Sequence, residues 1–321
     1  MKAIYIEQHG GPEVLKFGDF AKPAPAPGQV LVKVAVSGVN FIDIYQRNGL
    51  YKMPLPAVLG VEGAGVVEAL GEGVTGFKPG DSVAWTMARG SYAEYAAVPA
   101  VSLVHVPAHV SMSDAAAAML QGMTAHYLTH STFPLDNTHT ALVHAAAGGT
   151  GRLIVQMAKL RGARVIATAG SAAKAQVARE AGADEVILYN DTDFQASVKQ
   201  LTNGAGVHVV YDGVGKATYD KSIDSLRPRG MMVSFGNASG AVPPVDLLSL
   251  STKGSLFLTR PTLGNYSSPE ELKWRSGDLF SWMKDGKLKL MIEKEYPLAD
   301  TAQAQIDLAG RGTMGKLLVT I

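Results

Sequence analysis

A run of six small residues, Ala146 to Gly151, has the composition and spacing to hold a phosphate group. It reads Ala-Ala-Gly-Gly-Thr-Gly and follows the GxGxxG pattern, with Ala146 at the position of the first glycine. Gly148 would let a pyrophosphate approach the backbone, and Gly151 would let a following helix pack closely on the preceding strand. The N–H groups at such a helix start face the phosphates. The segment therefore predicts a dinucleotide-binding turn.

The residues on both sides of this turn have the pattern of a βαβ unit. Ala141 to Ala145 is a short apolar run typical of a strand, and apolar residues recur at helical spacing after the turn. Gly162 stands where a left-handed residue would end the helix, and a second apolar run follows, ending near Gly170. A GxGxxG-like string alone is also compatible with an ordinary tight turn. Its position between a strand and a helix favours the dinucleotide site.

The end of the second strand indicates which dinucleotide would bind. NAD sites usually place an acidic residue about 20 residues beyond the glycines, where it binds the ribose 2′-hydroxyl. This chain has Ala169, Gly170 and Ser171 there, followed by Lys174. Because no carboxylate would repel a 2′-phosphate, and a hydroxyl and an ammonium are available, we expect NADPH to bind better than NADH. The alternative for Lys174 is a solvated lysine on the next helix.

The composition is that of a globular protein long enough for two domains. The chain has 321 residues, of which 47% are hydrophobic and 18% charged, and its formal net charge is +1. This charge, without a dense run of lysine and arginine, argues against nucleic acid or an anionic membrane as a partner. Cysteine is absent, which excludes disulfides and thiolate metal ligands. No run approaches 18 apolar residues, so we expect a cytoplasmic enzyme that acts on a small molecule.

The first part of the chain is predicted to be rich in strands. Up to about residue 122, apolar runs are separated by glycine and proline turns. Two helices are predicted near the end of this part, one after Ser113 and the next from Gly122 to His130. A β-rich domain is the interpretation that fits this pattern.

After Gly170 the pattern alternates between strands and helices, which predicts an α/β fold with a doubly wound parallel sheet. A helix is predicted from Gly213 to Leu226, then a solvated turn at Arg227 to Arg229, then a strand from Met231 to Phe235. Ligands lie off the carboxyl ends of the strands in such sheets. The segments Gly213 to Gly215 and Phe235 to Ser239 are therefore predicted to form cofactor walls.

The change of pattern near Arg260 suggests that the end of the chain returns to the first domain. We expect residues 1–122 and 260–321 to form one domain and residues 123–259 to form the dinucleotide-binding domain. A cleft is expected between the two.

With these elements placed, the sequence resembles the quinone oxidoreductases of the zinc-independent medium-chain dehydrogenase/reductase superfamily, the zeta-crystallin-like group. The resemblance runs nearly end to end. Its markers are HGGPEVL (His9 to Leu15), GVNFIDIYQRNGLY (Gly38 to Tyr51), HAAAGGTG (His144 to Gly151) and MVSFGNASGAV (Met232 to Val242). It implies a GroES-like catalytic domain made of both chain ends, a Rossmann domain in the middle, NADPH as the reductant and a homodimer. The fold alone does not fix the substrate.

The resemblance also implies where the cofactor would bind. The nicotinamide end would lie near Asn40, Asp43, Tyr45 and Thr124, with Tyr51 beside the substrate. The pyrophosphate would lie on Gly148, Gly149 and Thr150, and the adenosine ribose with its phosphate near Gly170, Ser171, Lys174 and Tyr189. Val214 and Gly215 would border the adenine side. The remaining wall would comprise Phe235, Gly236, Ser239, Phe257 and Arg311.

Compared with the zinc alcohol dehydrogenases of the same superfamily, this sequence lacks the metal ligands. Asn40 and Gln121 occupy the positions of two cysteines, and Val61 occupies that of a histidine. Without a Lewis acid, an acceptor that delocalises its own negative charge, such as a quinone or an activated alkene, is favoured over a simple ketone. The role of Gln121 stays open.

The reaction also needs a proton, and Tyr51 and Tyr45 are the candidate donors. The alternative for each is a half-buried aromatic side chain that only shapes the cleft. The residues leave open whether a quinone would take up a hydride or single electrons.

Three functions follow from these expectations. The first is an NADPH-dependent quinone oxidoreductase. The second is an NADPH-dependent reductase of conjugated enals or enones, for which the same site would serve. The third, of a different class, is an NADPH-regulated RNA-binding or stress-sensing protein, against which the near-neutral charge argues.

Overall fold

The computed structural model describes residues 1–321 and contains sixteen strands and nine α-helices. The strands are β1 (Lys2–Ile6), β2 (Lys16–Asp19), β3 (Gln29–Val39), β4 (Ala57–Val58), β5 (Glu62–Leu70), β6 (Ser82–Thr86), β7 (Tyr95–Pro99), β8 (Leu103–His105), β9 (Thr140–Val143), β10 (Arg164–Ala169), β11 (Glu185–Leu188), β12 (Val207–Asp212), β13 (Leu226–Ser234), β14 (Phe257–Thr259), β15 (Ile292–Pro297) and β16 (Lys316–Thr320). The helices are α1 (Phe41–Arg47), α2 (Met112–Tyr127), α3 (Gly149–Leu160), α4 (Ala172–Glu180), α5 (Phe194–Leu201), α6 (Tyr219–Asp224), α7 (Leu247–Thr252), α8 (Pro269–Lys284) and α9 (Thr301–Ala309).

The chain divides into two compact units. Unit 1 comprises residues 1–123 and 266–321, and unit 2 comprises residues 124–265. No helix in either unit has the length and apolar character needed to cross a lipid bilayer.

Unit 2 contains a six-stranded sheet in the order β11-β10-β9-β12-β13-β14, with every neighbouring pair parallel. The order steps outward from β9 in both directions, as in a doubly wound sheet, and confirms the predicted fold class. Its core joins strand residues such as Leu142 and Val210 to Phe194 and Val198 of α5. This apolar layer fixes the strands whose carboxyl ends carry the predicted cofactor loops.

Unit 1 is built mainly of antiparallel sheet. Seven strands form one sheet, with β15, β16, β3, β5, β6 and β8 in that order and β7 paired to β3, and a small second sheet has the order β2-β1-β4. The C-terminal strand β16 is antiparallel to β3, with Leu317 opposite Val39, and parallel to β15. Residues from both parts of the chain therefore form one core, in which Ile4 and Ile6 pack with Leu317 and Val319.

The structure corrects the prediction of two helices before the glycine turn. A single helix, α2, runs from Met112 to Tyr127 and continues as a π-helix over Leu128–Thr132. Gly122 lies inside this helix, where an added Cβ atom would lie 3.0 Å from a methyl group of Leu279. The glycine is explained by close packing against α8 rather than by a turn.

The segment after β12 also differs from the prediction. The helix α6 begins only at Tyr219, because Gly215 has a φ of +91°, which an α-helix does not permit. The residues Arg227 to Arg229 belong to β13 rather than to a turn. A register shift in the pairing of β12 with β13 and a φ of +60° at Arg229 accommodate Pro228, which has no N–H to donate.

Candidate cofactor-binding loops and active-site helix

The turn between β9 and α3 brings helix and strand backbone together. Ala145 has a left-handed φ of +50°, and its carbonyl oxygen accepts a hydrogen bond from Gly148 N at 2.9 Å. A Cβ atom on Gly151 would lie 2.3 Å from the same oxygen. Only glycine fits at residue 151 without a shift of the backbone, which is the close approach that the sequence predicts.

The start of α3 carries no side-chain cap. Its N-cap is Gly148, whereas α4 and α5 begin with side chains, Ser171 and Asp193, that accept hydrogen bonds from first-turn N–H groups. The first turn of an α-helix has N–H groups without partners in the helix and the positive end of the helix dipole. The start of α3 can therefore offer these donors to an anion such as a phosphate.

The predicted ribose and 2′-phosphate residues meet at the carboxyl ends of β10 and β11. A Cβ atom on Gly170 would lie 2.8 Å from Tyr189 Oη, so the tyrosine crosses directly over this glycine. Ser171 Oγ accepts a hydrogen bond from Lys174 N at 3.3 Å, which leaves the hydroxyl hydrogen available as a donor. Ser171 and Tyr189 are both exposed to solvent. The structure thus brings Gly170, Ser171 and Tyr189 together, with Lys174 in the first turn of α4.

The loops after β12 and β13 form a second layer at this edge of the sheet. Ser239 N and Ser239 Oγ both donate to Val214 O at 2.8 Å, and a Cβ atom on Gly236 would lie 2.3 Å from Gly213 O. The Phe235 ring lies on Gly213 in the same way. The predicted wall residues of these two loops are therefore in contact. They are Val214, Gly215, Phe235, Gly236 and Ser239.

Phe257 lies apart from that wall. It is the first residue of the edge strand β14, opposite Met231 in the middle of β13, and 57% of its surface is exposed. Its side chain is thus not brought to the carboxyl ends of the strands, where Phe235 lies. Of the other predicted residues, Thr124 is buried in α2, and Arg311 lies in the turn after α9 with a φ of +56°.

In unit 1, the helix α1 presents an aromatic cluster. The rings of Phe41 and Tyr45 have centroids 6.1 Å apart, and those of Tyr45 and Tyr51 meet edge to face at 5.4 Å. Tyr45 is 9% exposed, whereas Tyr51 is 39% exposed. Tyr51 N also donates to Tyr45 O at 3.0 Å, which ties the turn that follows the helix to the helix itself. Of the two predicted proton donors, Tyr51 is the more accessible.

The predicted nicotinamide residue Asp43 lies in the first turn of α1, and its side chain is fully buried. Its Oδ2 accepts hydrogen bonds from Asn40 N at 2.8 Å and from the Tyr92 hydroxyl at 2.7 Å, while its Oδ1 has no hydrogen-bond partner. Burial raises the pKa of Asp43 from 3.8 to about 7, against the opposing effect of the Tyr92 and Asn40 hydrogen bonds. The observed role of this carboxyl group is to fix the start of α1.

Asn40 is held by an ion pair that sequence analysis missed. Lys316 Nζ lies 2.5 Å from Glu62 Oε2, and both side chains are almost completely buried. Asn40 joins them, since its Oδ1 accepts from Lys316 Nζ and its Nδ2 donates to Glu62 Oε2, each at 2.8 Å. Glu62 Oε1 also accepts from Leu120 N at 2.5 Å. In the sequence, Lys316 and Glu62 are charged residues at the first positions of the strands β16 and β5.

The side chains at these positions are poorly suited to a metal. Nowhere in the structure do three or more His, Asp or Glu residues lie where they could hold an ion together. The Asn40 carboxamide, which replaces a cysteine ligand of the zinc alcohol dehydrogenases, is already hydrogen-bonded through both its oxygen and its nitrogen. Its neighbour Lys316 carries a positive charge, which would repel a cation.

Comparison with known proteins assigns a family to each part of the chain. Residues 26–108 match the family described as alcohol dehydrogenase GroES-like domain, and residues 149–274 match the family described as zinc-binding dehydrogenase. The chain is 45% identical to a quinone oxidoreductase of Pseudomonas aeruginosa and 40% identical to a 2-haloacrylate reductase of a Burkholderia species, with at least 98% of each chain covered.

A solved structure extends the similarity to the fold. The quinone oxidoreductase of Escherichia coli complexed with NADPH superposes with a TM-score of 0.98 at 42% identity, and all of both chains is covered. The chain belongs to the quinone oxidoreductase family of the medium-chain dehydrogenases/reductases.

Proposed function

We propose that this protein is an NADPH-dependent quinone oxidoreductase. The observation that carries the proposal is the start of α3, where Gly151 packs on Ala145 and no side chain occupies the first-turn N–H groups. The full-length similarity to quinone oxidoreductases supports the same activity. Unit 2 would then be the cofactor-binding domain and unit 1 the catalytic domain.

The residues at the sheet edge fit NADPH. The glycine turn, with Gly148, Gly149 and Thr150, would bind the diphosphate through backbone N–H groups. Ser171 and Lys174 would bind the 2′-phosphate, since one can donate a hydroxyl hydrogen and the other carries a positive charge. When bound, NADPH supplies a hydride or electrons to the acceptor.

Residues of unit 1 would orient the acceptor and supply the proton. The apolar faces of the α1 cluster suit a flat, conjugated ring, and the Tyr51 hydroxyl is exposed enough to donate or relay a proton. Tyr45 would support the ring of Tyr51 from the helix. Because Asn40 is bonded to Lys316 and Glu62, its backbone would hold a fixed position at the start of α1.

A spectrophotometric assay tests the proposal. The purified protein should oxidise NADPH faster when 1,4-benzoquinone or 9,10-phenanthrenequinone is added, and NADH should support a lower rate at the same concentration. No increase in rate with either quinone would refute the activity, and an equal rate with NADH would refute the cofactor preference.

The second candidate function is reduction of conjugated alkenes. The similarity to a 2-haloacrylate reductase favours it, and such an acceptor also delocalises negative charge without a Lewis acid. Assaying conjugated enals, enones and 2-haloacrylates beside the quinones would separate the two functions by the ratios of kcat/KM.

We also propose that the enzyme works without a metal, as a homodimer, in the cytoplasm. The bond from Lys316 Nζ to the Asn40 side-chain oxygen supports metal independence, because that oxygen already has a partner. Dialysis against a chelator should leave the quinone-dependent rate unchanged. The exposed edge strand β14, with Phe257, supports dimer formation because its unpaired backbone groups can pair with a second copy.

A further inference from the structure

A buried histidine lies directly before the glycine turn and is assigned no role by the proposed function. His144 follows β9 and is 2% exposed. Its Nδ1 lies 2.9 Å from Thr168 Oγ1 in β10, and its Nε2 lies 2.8 Å from Ser222 Oγ in α6. Ser222 Oγ lies 3.3 Å from Asp212 Oδ2 at the end of β12. Four elements of unit 2 thus share one buried polar chain.

The hydrogen atoms in this chain can be assigned from Asp212. Its Oδ1 accepts from Val214 N at 2.7 Å and Gly215 N at 3.0 Å, and its Oδ2 accepts from the Thr218 hydroxyl at 2.7 Å. A carboxylate among these donors can only accept, so the Ser222 hydroxyl donates to it.

That assignment fixes the tautomer of His144. Because the Ser222 hydrogen points to Asp212, the Ser222 oxygen accepts from His144 Nε2–H. The Nδ1 atom of the neutral ring then accepts from the Thr168 hydroxyl. Burial lowers the pKa of His144, against the opposing charge of Asp212, and so favours this neutral form. Every polar atom of the imidazole ring has one partner of the right kind.

The chain connects the two loops that the cofactor would contact. On one side, Ala146 N donates to Thr168 O. Thr168, which bonds to His144 Nδ1, therefore also holds Ala146, the first residue of the glycine turn. On the other side, Asp212 holds Val214 and Gly215 through their N–H groups. His144 is the only side chain that bonds to both Thr168 and Ser222.

We propose that His144 is a positioning residue for cofactor binding, which acts through Ser222 and Asp212 to hold the glycine turn and the Gly213 to Gly215 loop in fixed relative positions. This inference rests on the proposed function, since the ligand positioned is NADPH. The residue touches no substrate or cofactor itself. Its loss should weaken NADPH binding and leave the chemistry at saturating cofactor nearly unchanged.

Three substitutions of His144 separate positioning from simple packing. His144→Phe keeps a ring against Phe194, whose centroid lies 4.9 Å away, but removes both hydrogen bonds. His144→Gln places an amide near the Nε2 position and can restore the bond to Ser222, whereas His144→Asn can restore only the bond to Thr168. Val198→Ala, in the same core but outside the polar chain, is the matched control for stability.

The readouts are the NADPH dissociation constant by fluorescence titration, kcat with a quinone at saturating NADPH, and the unfolding temperature. His144→Phe should raise the NADPH dissociation constant about tenfold, because the net free energy of about one hydrogen bond corresponds to a change of this size. It should change kcat less than twofold. His144→Gln should recover most of the affinity, and His144→Asn should not. Val198→Ala should lower the unfolding temperature with unchanged affinity.

A second variant keeps the proposal testable if His144→Phe fails to fold. Ser222→Ala removes the middle of the chain, and it should raise the NADPH dissociation constant a few-fold. Where His144→Phe does fold, the double variant should bind NADPH no worse than His144→Phe alone, because the residues act as one unit.

The proposal is overturned if NADPH affinity follows the unfolding temperature across all variants, Val198→Ala included, or if His144→Gln fails to recover it. Failure of the proposed function gives a different result, because the unaltered protein itself would then bind no NADPH or show no increase in NADPH oxidation with a quinone.

Discussion

At the scale of single residues, the two candidate proton donors differ in their access to solvent. The Tyr51 ring is 39% exposed and leans edge to face on the nearly buried Tyr45. Tyr45 thus supports Tyr51, and a proton that reaches a bound acceptor through a phenol is expected to come from Tyr51.

We expect Tyr51→Phe to lower kcat with quinones on the order of a hundredfold, the usual contribution of a positioned proton donor, with the NADPH dissociation constant unchanged. The control is Tyr5→Phe, a tyrosine of β1 that should leave kcat unaltered. Stopped-flow measurement of NADPH oxidation gives the rate directly. Near-normal turnover of Tyr51→Phe would exclude an essential phenolic proton and leave the ring with a role in shape alone.

Lys174 is expected to contribute most of the preference for NADPH. Replacing it with alanine should reduce the ratio of the NADH to NADPH dissociation constants roughly tenfold, because a charge-assisted hydrogen bond contributes about 1.5–3 kcal/mol. Arg179→Ala, at the other end of α4, removes one positive charge from the same helix and is the matched control. An unchanged ratio of the two dissociation constants in Lys174→Ala would show that Lys174 does not bind the 2′-phosphate.

Some of the site residues could not have been found by inspection of the sequence. The residues of the glycine turn are contiguous, so their spacing alone revealed them. Lys316 and Glu62 are separated by 254 residues, and only the pairing of β16 with β3 and of β3 with β5 brings them together. No local pattern reports a contact of that separation.

At the scale of elements, predictions were correct where a local signal decides the structure. Gly162 follows the end of α3 with a φ of +81°, and Gly151 packs closely on Ala145, both as their spacing predicts. They were wrong where tertiary packing decides. Gly122 lies inside α2, where Leu279 packs closely on it. The helix α6 starts late because Gly215, whose N–H is bonded to the Asp212 carboxylate, has a φ of +91°.

Two glycines in helices provide a matched test of the β9–α3 turn. Gly151→Ala should destabilise the protein by about 1–3 kcal/mol and weaken NADPH binding, since its Cβ atom would meet Ala145 O at 2.3 Å. Gly277→Ala, in α8, has no atom within 4 Å of the new Cβ and should stabilise the protein by about 0.5–1 kcal/mol. Thermal unfolding with and without NADPH measures both effects. Equal changes for the two variants would contradict the close packing.

The start of α1 should make stability depend on pH through Asp43. Its pKa is raised from 3.8 to about 7, so between these values the folded protein binds more protons than the unfolded chain. The contribution of Asp43 to the free energy of unfolding should therefore fall by up to about 4 kcal/mol as the pH rises from about 4 to 7. His144 acts oppositely, because its lowered pKa removes stability as pH falls below 6.5.

The variant Asp43→Asn isolates this contribution, because an amide accepts the same hydrogen bonds and does not titrate. Between pH 5 and pH 8, the unfolding temperature of the unaltered protein should fall relative to that of Asp43→Asn. Parallel curves for the two proteins would show that the Asp43 carboxyl group does not titrate in this range.

At the scale of the whole molecule, the exposed edge of the parallel sheet should determine the oligomeric state. Light scattering should give twice the chain mass of 33.7 kDa. Phe257→Lys places a charge on β14 and should shift the protein toward the monomer, because charged side chains on an edge strand oppose pairing. Leu160→Lys, at an exposed site of α3, is the control. A monomer for the unaltered protein, or a dimer unaffected by Phe257→Lys, would contradict this interface.

The position of β16 bears on the order in which the protein matures. This strand lies between β15 and β3, and the neighbouring Arg47–Gln305 bond joins residues 258 positions apart. During synthesis, every strand of the central parallel sheet leaves the ribosome before β16 does. The parallel sheet of unit 2 can thus be complete while the larger sheet of unit 1 still lacks the strand between β15 and β3, so a nascent chain halted before Lys316 would hold all six parallel strands beside an unfinished unit 1.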